Sequence, residues 1–182
     1  MTDFLQLCVY FLAAVNPAAA AMAAPRDKRP DFPVVALGAA VAFGLLAAAT
    51  MLADSFLDGL DVEPETFRVA AGVVLLIGGG LAIWTGGAAH SGPWEGWKAG
   101  LFPLAVPVLA TPAALAAAVS YGADRGAGEA TASAGIAVLV AGGLIIARAG
   151  RSESALDAIA RLTGALLIAV AAGLIVDGVR AI

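Results

Sequence analysis

Residues 103–114 read Pro-Leu-Ala-Val-Pro-Val-Leu-Ala-Thr-Pro-Ala-Ala, and residues 14–17 read Ala-Val-Asn-Pro. Both stretches are apolar, and in each a helix-capping residue precedes a proline, as Asn16-Pro17 and as Thr111-Pro112. A proline inside a helix removes a hydrogen bond and clashes with the preceding turn. Asn or Thr followed by proline is instead typical of a helix start. Each segment is therefore predicted to form two half-helices, the second of which starts near the middle of a membrane.

The composition indicates that nearly the whole chain lies in a membrane. Of its 182 residues, 61% are hydrophobic and only 13% are charged, and the mean hydropathy is +0.93. A spanning helix needs about 20 apolar residues. Six segments meet that length, and the loops between them are short, so a single membrane domain over residues 1–182 is predicted. The six segments are about 3–24, 33–55, 66–86, 99–121, 131–149 and 158–180.

Glycines within these segments are interpreted as places where helices approach each other closely, because small residues allow backbone contact in lipid. They are Gly72, Gly78, Gly79, Gly80, Gly142, Gly143, Gly164 and Gly173.

The chain divides into two halves of similar layout, about 1–90 and about 96–182. The Asn16-Pro17 break corresponds to Thr111-Pro112, and the segment that opens with Arg68 corresponds to the one that opens with Arg161. Three helices in each half place the second half upside down relative to the first. We therefore predict an all-α integral membrane fold of six helices in two inverted-topology repeats, with helices 1 and 4 broken at proline. Such repeats are the layout of many secondary transporters.

The basic residues predict an orientation. If loops alternate sides, Arg26, Lys28, Arg29, Lys98, Arg148, Arg151 and Arg161 fall on one side, and Arg68, Arg125 and Arg180 on the other. The positive-inside rule then places the larger set in the cytoplasm and both termini outside. The first segment resembles a signal peptide, but Asp3 replaces the usual basic start, so we expect a retained helix.

The two breaks predict a site for a small zwitterion. A helix start carries a partial positive charge and unpaired amides. Each proline also frees carbonyls one turn earlier, around Leu12 and Ala13 and around Pro107 and Val108. A carboxylate would lie at the helix starts and an ammonium at the carbonyls. The alternative is a pair of ordinary proline kinks that neighbouring groups repair.

The substrate-binding candidates follow from this geometry: Asn16, Pro17, Ala18, Ala19, Thr111, Pro112, Ala113 and Ala114. Weaker candidates for lining or gating the path are Tyr10, Thr50, Arg68 and Arg161, and the two arginines can equally be interface anchors. The sequence shows no nucleophile–base pair and no spacing of metal ligands. We therefore expect no catalytic residue, no metal, no cofactor and no nucleic-acid partner.

Several motifs resemble those of the MarC family, the small neutral amino acid exporters of the lysine-exporter superfamily. They are Ala14-Val15-Asn16-Pro17, the stretch from Phe67 to Leu76, the stretch from Pro103 to Ala114, Arg161-Leu162-Thr163-Gly164 and Ile175-Val176-Asp177-Gly178-Val179. The resemblance implies six helices, outward termini and export of alanine-, glycine-, serine- or threonine-like substrates. Thr111 and Ala113 stand where the family motif has glycines, and alanines follow Pro17 where it has Ile-Gly.

The expected function is that of a secondary transporter in the plasma (inner) membrane, which exports small neutral amino acids by alternating access. Two alternatives remain open: an ion or small-solute channel on the same scaffold, and a membrane assembly protein that transports nothing. The apolar segments carry no acidic residue or histidine at mid-depth, so the coupling ion stays open, as does assembly into a homo-oligomer.

Overall fold

A computed structural model describes residues 2–25, 31–86, 94, 96–148 and 152–182. These residues form helices and no strand. Eight are α-helices, and a π-helical segment, Gly100–Leu109, precedes α6. The α-helices are α1 (Thr2–Val15), α2 (Pro17–Ala23), α3 (Phe32–Met51), α4 (Ala53–Gly59), α5 (Pro64–Thr85), α6 (Pro112–Arg125), α7 (Ala127–Ile146) and α8 (Glu153–Ala181).

Five stretches of the described chain are long and apolar enough to cross a membrane: Asp3–Ala23, Phe32–Met51, Pro64–Thr85, Ala127–Ile146 and Glu153–Ala181. A sixth span results if the π segment and α6 are counted together, and these two are bent by 63°. The prediction of an all-helical integral membrane protein is confirmed at this level.

Several segment boundaries differ from the sequence prediction, and the fifth segment spans Ala127–Ile146 rather than about 131–149. The second span ends at Met51 rather than near 55, because the chain leaves helical geometry at Leu52 and begins the short helix α4. The last helix begins at Glu153 rather than near 158. Hydropathy measures only the apolar stretch, and polar residues such as Ser154 and Asp157 extend the helix beyond it.

The helices α5 and α8 run antiparallel and share the most extensive contact of any helix pair in the described chain. A Cβ added at Gly72 would lie 3.0 Å from the carbonyl oxygen of Ala171, and one at Gly164 would lie 2.9 Å from that of Gly79. The packing interpretation therefore holds at these glycines, because only glycine lets the backbones approach so closely. It is wrong for Gly80, Gly143 and Gly173, where an added Cβ would meet no described atom within 4 Å.

This antiparallel pair separates the charged ends of the bundle. Arg68 lies near the start of α5, at the same end as Arg180 on α8. Arg161 lies at the opposite end, where its Nη1 donates to the carbonyl of Ile83 at 2.7 Å. Arg148, at that second end, donates to the carbonyl of Ala24. Four residues of the predicted basic set fall outside the described residues, namely Arg26, Lys28, Arg29 and Arg151.

Candidate functional site

The chain between α1 and α2 is shaped by Asn16. This residue adopts a left-handed conformation with φ of 50°, which asparagine tolerates better than most residues. Its Oδ1 accepts a hydrogen bond from the amide of Ala19 at 3.2 Å, and its Nδ2 donates to the carbonyl of Ala160 at 3.0 Å. Asn16 therefore caps α2 and ties it to α8.

The chain before α6 is shaped by three prolines. Phe102 and Val106 have extended backbone angles inside the π segment, and each precedes a proline, which disfavours the helical conformation at such positions. Thr111 then starts α6, with its Oγ1 accepting from the amide of Ala114 at 2.9 Å. The same hydroxyl donates to the carbonyl of Ala14 at 3.0 Å. Thr111 thus joins the start of α6 to the end of α1.

The carbonyls near the two prolines differ in their partners. The carbonyl of Leu12 accepts a hydrogen bond from the amide of Asn16 at 3.0 Å. The prediction that this carbonyl is free was therefore wrong. Ala13 and Val108 lie four residues before Pro17 and Pro112, which have no amide to donate to them. Among the described residues, no hydrogen bond to either carbonyl is found.

A cavity of about 350 Å³ lies where the two stretches meet, and we call it the first cavity. Both Ala13 and Val108 line it. Five of the predicted substrate-binding residues line it as well: Asn16, Ala19, Thr111, Pro112 and Ala113. Pro17, Ala18 and Ala114 are not among its lining residues. Its opposite wall comes mainly from α5, including Gly78 and Leu81.

The amides near the cavity are not equally available. Those of Ala19 and Ala114 are already bonded to the side chains of Asn16 and Thr111. Within the described chain, the amides of Ala18 and Ala113 donate to no acceptor. Ala113, Ala13 and Val108 therefore each combine an unpaired backbone group with a place in the lining of the first cavity.

The weaker candidates lie elsewhere. The ring of Tyr10 stacks on that of Tyr121 at 5.4 Å between centroids. Arg68 Nε donates to Asp124 Oδ2 at 2.9 Å, whereas Arg161 Nε donates to Asp157 Oδ2 at 2.8 Å. Thr50 is buried between α3 and α7, where its Oγ1 lies 2.6 Å from that of Thr131.

Sequence reasoning missed three features of this region. It did not place Gly78 in the cavity wall, Asp124 beside Arg68 or the Ala14 carbonyl beneath Thr111. An arginine within an apolar segment was the available signal for a carboxylate partner, since such charges are usually paired. Within the described part of the chain, no group of three or more His, Cys, Asp or Glu side chains is arranged to hold a metal ion.

We expect Thr111→Val to lower the free energy of unfolding by about 2 kcal/mol, because it keeps the shape of the side chain but leaves the Ala14 carbonyl and the Ala114 amide unpaired. Thr111→Ser retains the hydroxyl and is the matched control. Unfolding followed in detergent measures both variants. Equal stability of the two would show that the hydroxyl does not hold the breaks together.

Comparison with protein families gave a match over most of the chain. A sequence model described as MarC family integral membrane protein matches residues 34–182. The match leaves out the Asn16-Pro17 stretch, whose place beside Thr111 comes from the structure. Comparison with curated proteins found no match, and comparison with solved structures found none.

Proposed function

Since the chain belongs to the MarC family of integral membrane proteins, we propose that it is a secondary transporter for small neutral amino acids. The observation that carries this proposal is the meeting of two proline-interrupted segments at one cavity of about 350 Å³. That volume lies within the range of ligand pockets, roughly 300–1,000 Å³. Interrupted helices that meet at a cavity are a recurring form of substrate site in secondary transporters.

The binding mode that we propose uses the unpaired backbone groups. The amide of Ala113, in the first turn of α6, receives the substrate carboxylate, where the helix dipole favours negative charge. The freed carbonyls of Ala13 and Val108 receive the ammonium. Asn16 and Thr111 act mainly by holding the two interrupted segments in shape, because their side chains are bonded to protein groups. The amide of Ala18 serves as a second donor if the site rearranges.

The transport mechanism that we propose is alternating access by two inverted repeats. Its support is a correspondence in the α5–α8 packing. Gly72 contacts Ala171 and Ile175, while Gly164 contacts Gly79 and Ile83. The two sets correspond by a shift of 92 positions: Gly72 corresponds to Gly164, Ala171 to Gly79 and Ile175 to Ile83. A two-fold pseudosymmetry axis between the helices would produce this pattern, as in inverted-repeat transporters.

The orientation in the membrane is part of the proposal. Arg148 and Arg161 lie at one end of the bundle, and Arg68, Arg125 and Arg180 belong to the other. With the further basic residues of the sequence, the positive-inside rule places the Arg161 end in the cytoplasm and both termini outside the plasma membrane. Export is then movement from the Arg161 end toward the Arg68 end.

A ligand comparison by thermal unfolding tests the site. Alanine and glycine are expected to stabilise the purified protein, by about 2.7 kcal/mol at a hundredfold excess over the dissociation constant. Propionate and ethylamine are the controls, since each carries one of the two charges. Both should stabilise far less than alanine, because the proposed site engages carboxylate and ammonium together. If no amino acid raised the unfolding temperature, or propionate matched alanine, the proposed site would be wrong.

Flux into vesicles separates the remaining alternatives. A carrier saturates with alanine and is accelerated by alanine on the opposite side. A channel passes solute without such exchange, and an assembly protein passes none.

A further inference from the structure

A second cavity, of about 550 Å³, lies at the other end of the same four helices. Residues of α1, α5, α6 and α8 line both cavities. On α1 the lining passes from Tyr10 in the second cavity to Ala13 in the first, and on α8 Leu166 of the second cavity is the direct neighbour of Leu167 of the first. The two cavities are therefore about one helical turn apart on α1, and they reach the same level of α8.

The second cavity is polar where the first is mostly apolar. Its lining includes the Arg68–Asp124 pair, Arg125, Asp177 and Gln6. The Arg68 and Asp124 side chains are only 19% and 14% exposed, so they lie deeper than Arg125 and Asp177. Gln6 donates to the hydroxyl of Tyr10, which in turn stacks on the buried Tyr121. The ion pair and the tyrosine stack together form the inner wall of the cavity.

On α6, buried residues separate the first cavity from the second, and we call this stretch the barrier. Ala113 lines the first cavity, and Asp124 lines the second. Ala117 and Ser120 share their helix face, because positions 113, 117, 120 and 124 follow helical spacing. Both are buried, and the hydroxyl of Ser120 has no hydrogen-bond partner among the described residues. An unpaired buried hydroxyl is costly, which makes Ser120 unusual for a purely structural position.

We propose that the second cavity is the opposite mouth of the substrate path and that the Arg68–Asp124 pair, with the Tyr10–Tyr121 stack, is its closed gate. Separation of Arg68 from Asp124 would loosen α6 from α5 and give Ser120 contact with water and with a passing zwitterion. Arg125 and Asp177 at the mouth offer opposite charges to the two ends of that substrate. This inference rests on the proposed function for the direction of the path.

The test uses a single cysteine at the barrier. Cys8, the only cysteine of the chain, is replaced by Cys8→Ala, and Ser120→Cys is introduced. Sealed vesicles of each orientation are treated with a membrane-impermeant thiol reagent. Labelling at position 120 should be slow, and Arg68→Gln combined with Asp124→Asn should speed it about tenfold from the Arg68 side only. The double substitution leaves no unpaired charge behind.

Asp3→Asn is the control, because it breaks the exposed Arg125–Asp3 pair, 3.7 Å long, at the same end of the bundle. It should leave the labelling rate unchanged. Where the double variant does not fold, Tyr10→Ala removes the tyrosine stack and should also speed labelling. The proposed gate would be overturned by fast labelling of Ser120→Cys while the Arg68–Asp124 pair is intact. It would also be overturned if neither the double variant nor Tyr10→Ala increased the labelling rate. Alanine-dependent stabilisation, measured on the same samples, tests the first cavity independently of this result.

Discussion

Gly79→Leu should destabilise the fold by more than about 3 kcal/mol, at or above the usual cost of overpacking. A Cβ at this position would lie 2.7 Å from the carbonyl oxygen of Gly164 and 2.8 Å from Cγ1 of Ile168. The first of these atoms belongs to a helix backbone, so a rotamer change cannot relieve the clash. The α5–α8 pair must separate, and the close backbone packing that holds helices together in lipid is lost. Unfolding in detergent, followed by temperature or by denaturant, measures the change.

The adjacent Gly80→Leu is the matched control. No described atom lies within 4 Å of a Cβ added there, and the residue is exposed on the outside of α5. Leucine is also the better helix former by almost 1 kcal/mol, so this variant should be as stable as the parent or slightly more stable. Similar losses for the two leucines would mean that the α5–α8 contact does not decide stability.

The places of most membrane segments could be predicted, because apolar length is a local property of the chain. Phe32–Met51 and Pro64–Thr85 lie close to the segments derived from hydropathy alone. The roles of Gly78, Gly79 and Gly80 could not be predicted in the same way. Consecutive helical residues point about 100° apart, so the three glycines face the first cavity, α8 and the exterior, respectively. Assigning those faces requires the positions of the neighbouring helices.

In the candidate site, too, local features could be predicted from the sequence and long-range contacts could not. Capping residue and proline are neighbours in sequence, so the starts of α2 and α6 at Pro17 and Pro112 follow from local chemistry. The Thr111–Ala14 hydrogen bond joins positions 97 residues apart, and Asn16 reaches Ala160 across 144. Such partners depend on which helices pack together, which the apolar pattern does not specify.

The same contacts explain why the amides predicted to bind substrate are not all available. The capping residue that makes a helix start recognisable in the sequence also consumes one of its amides. Asn16 takes the amide of Ala19, and Thr111 takes that of Ala114. A carboxylate at either helix start is left with the amide directly after the proline, at Ala18 or Ala113. Ala18 is buried outside the cavity lining, so the start of α6 supplies the main donor of the proposed site.

Gly78→Val is expected to weaken alanine binding and transport about a hundredfold, because buried methyl groups in a small pocket are worth about 1–3 kcal/mol. A Cβ at Gly78 would lie 3.1 Å from Cβ of Ala113 and 3.7 Å from Cδ2 of Leu167. The two further methyl groups of valine would enter the first cavity directly opposite the start of α6. The substrate would then be displaced from the Ala113 amide without any change to the polar groups of the site.

Alanine-dependent thermal stabilisation and alanine exchange in vesicles measure the two effects. Gly80→Val is the control, since it introduces the same β-branched residue into the same helix turn and faces away from the cavity. Alanine binding and exchange by Gly78→Ala should fall between those of the parent and of Gly78→Val, because alanine adds one methyl group beside Ala113 where valine adds three carbon atoms. A folded Gly78→Val protein that binds and exchanges alanine like the parent would place the substrate outside the first cavity. The close α5–α8 packing would be unaffected by that result, since the backbones of the two helices meet at Gly72, Gly79 and Gly164.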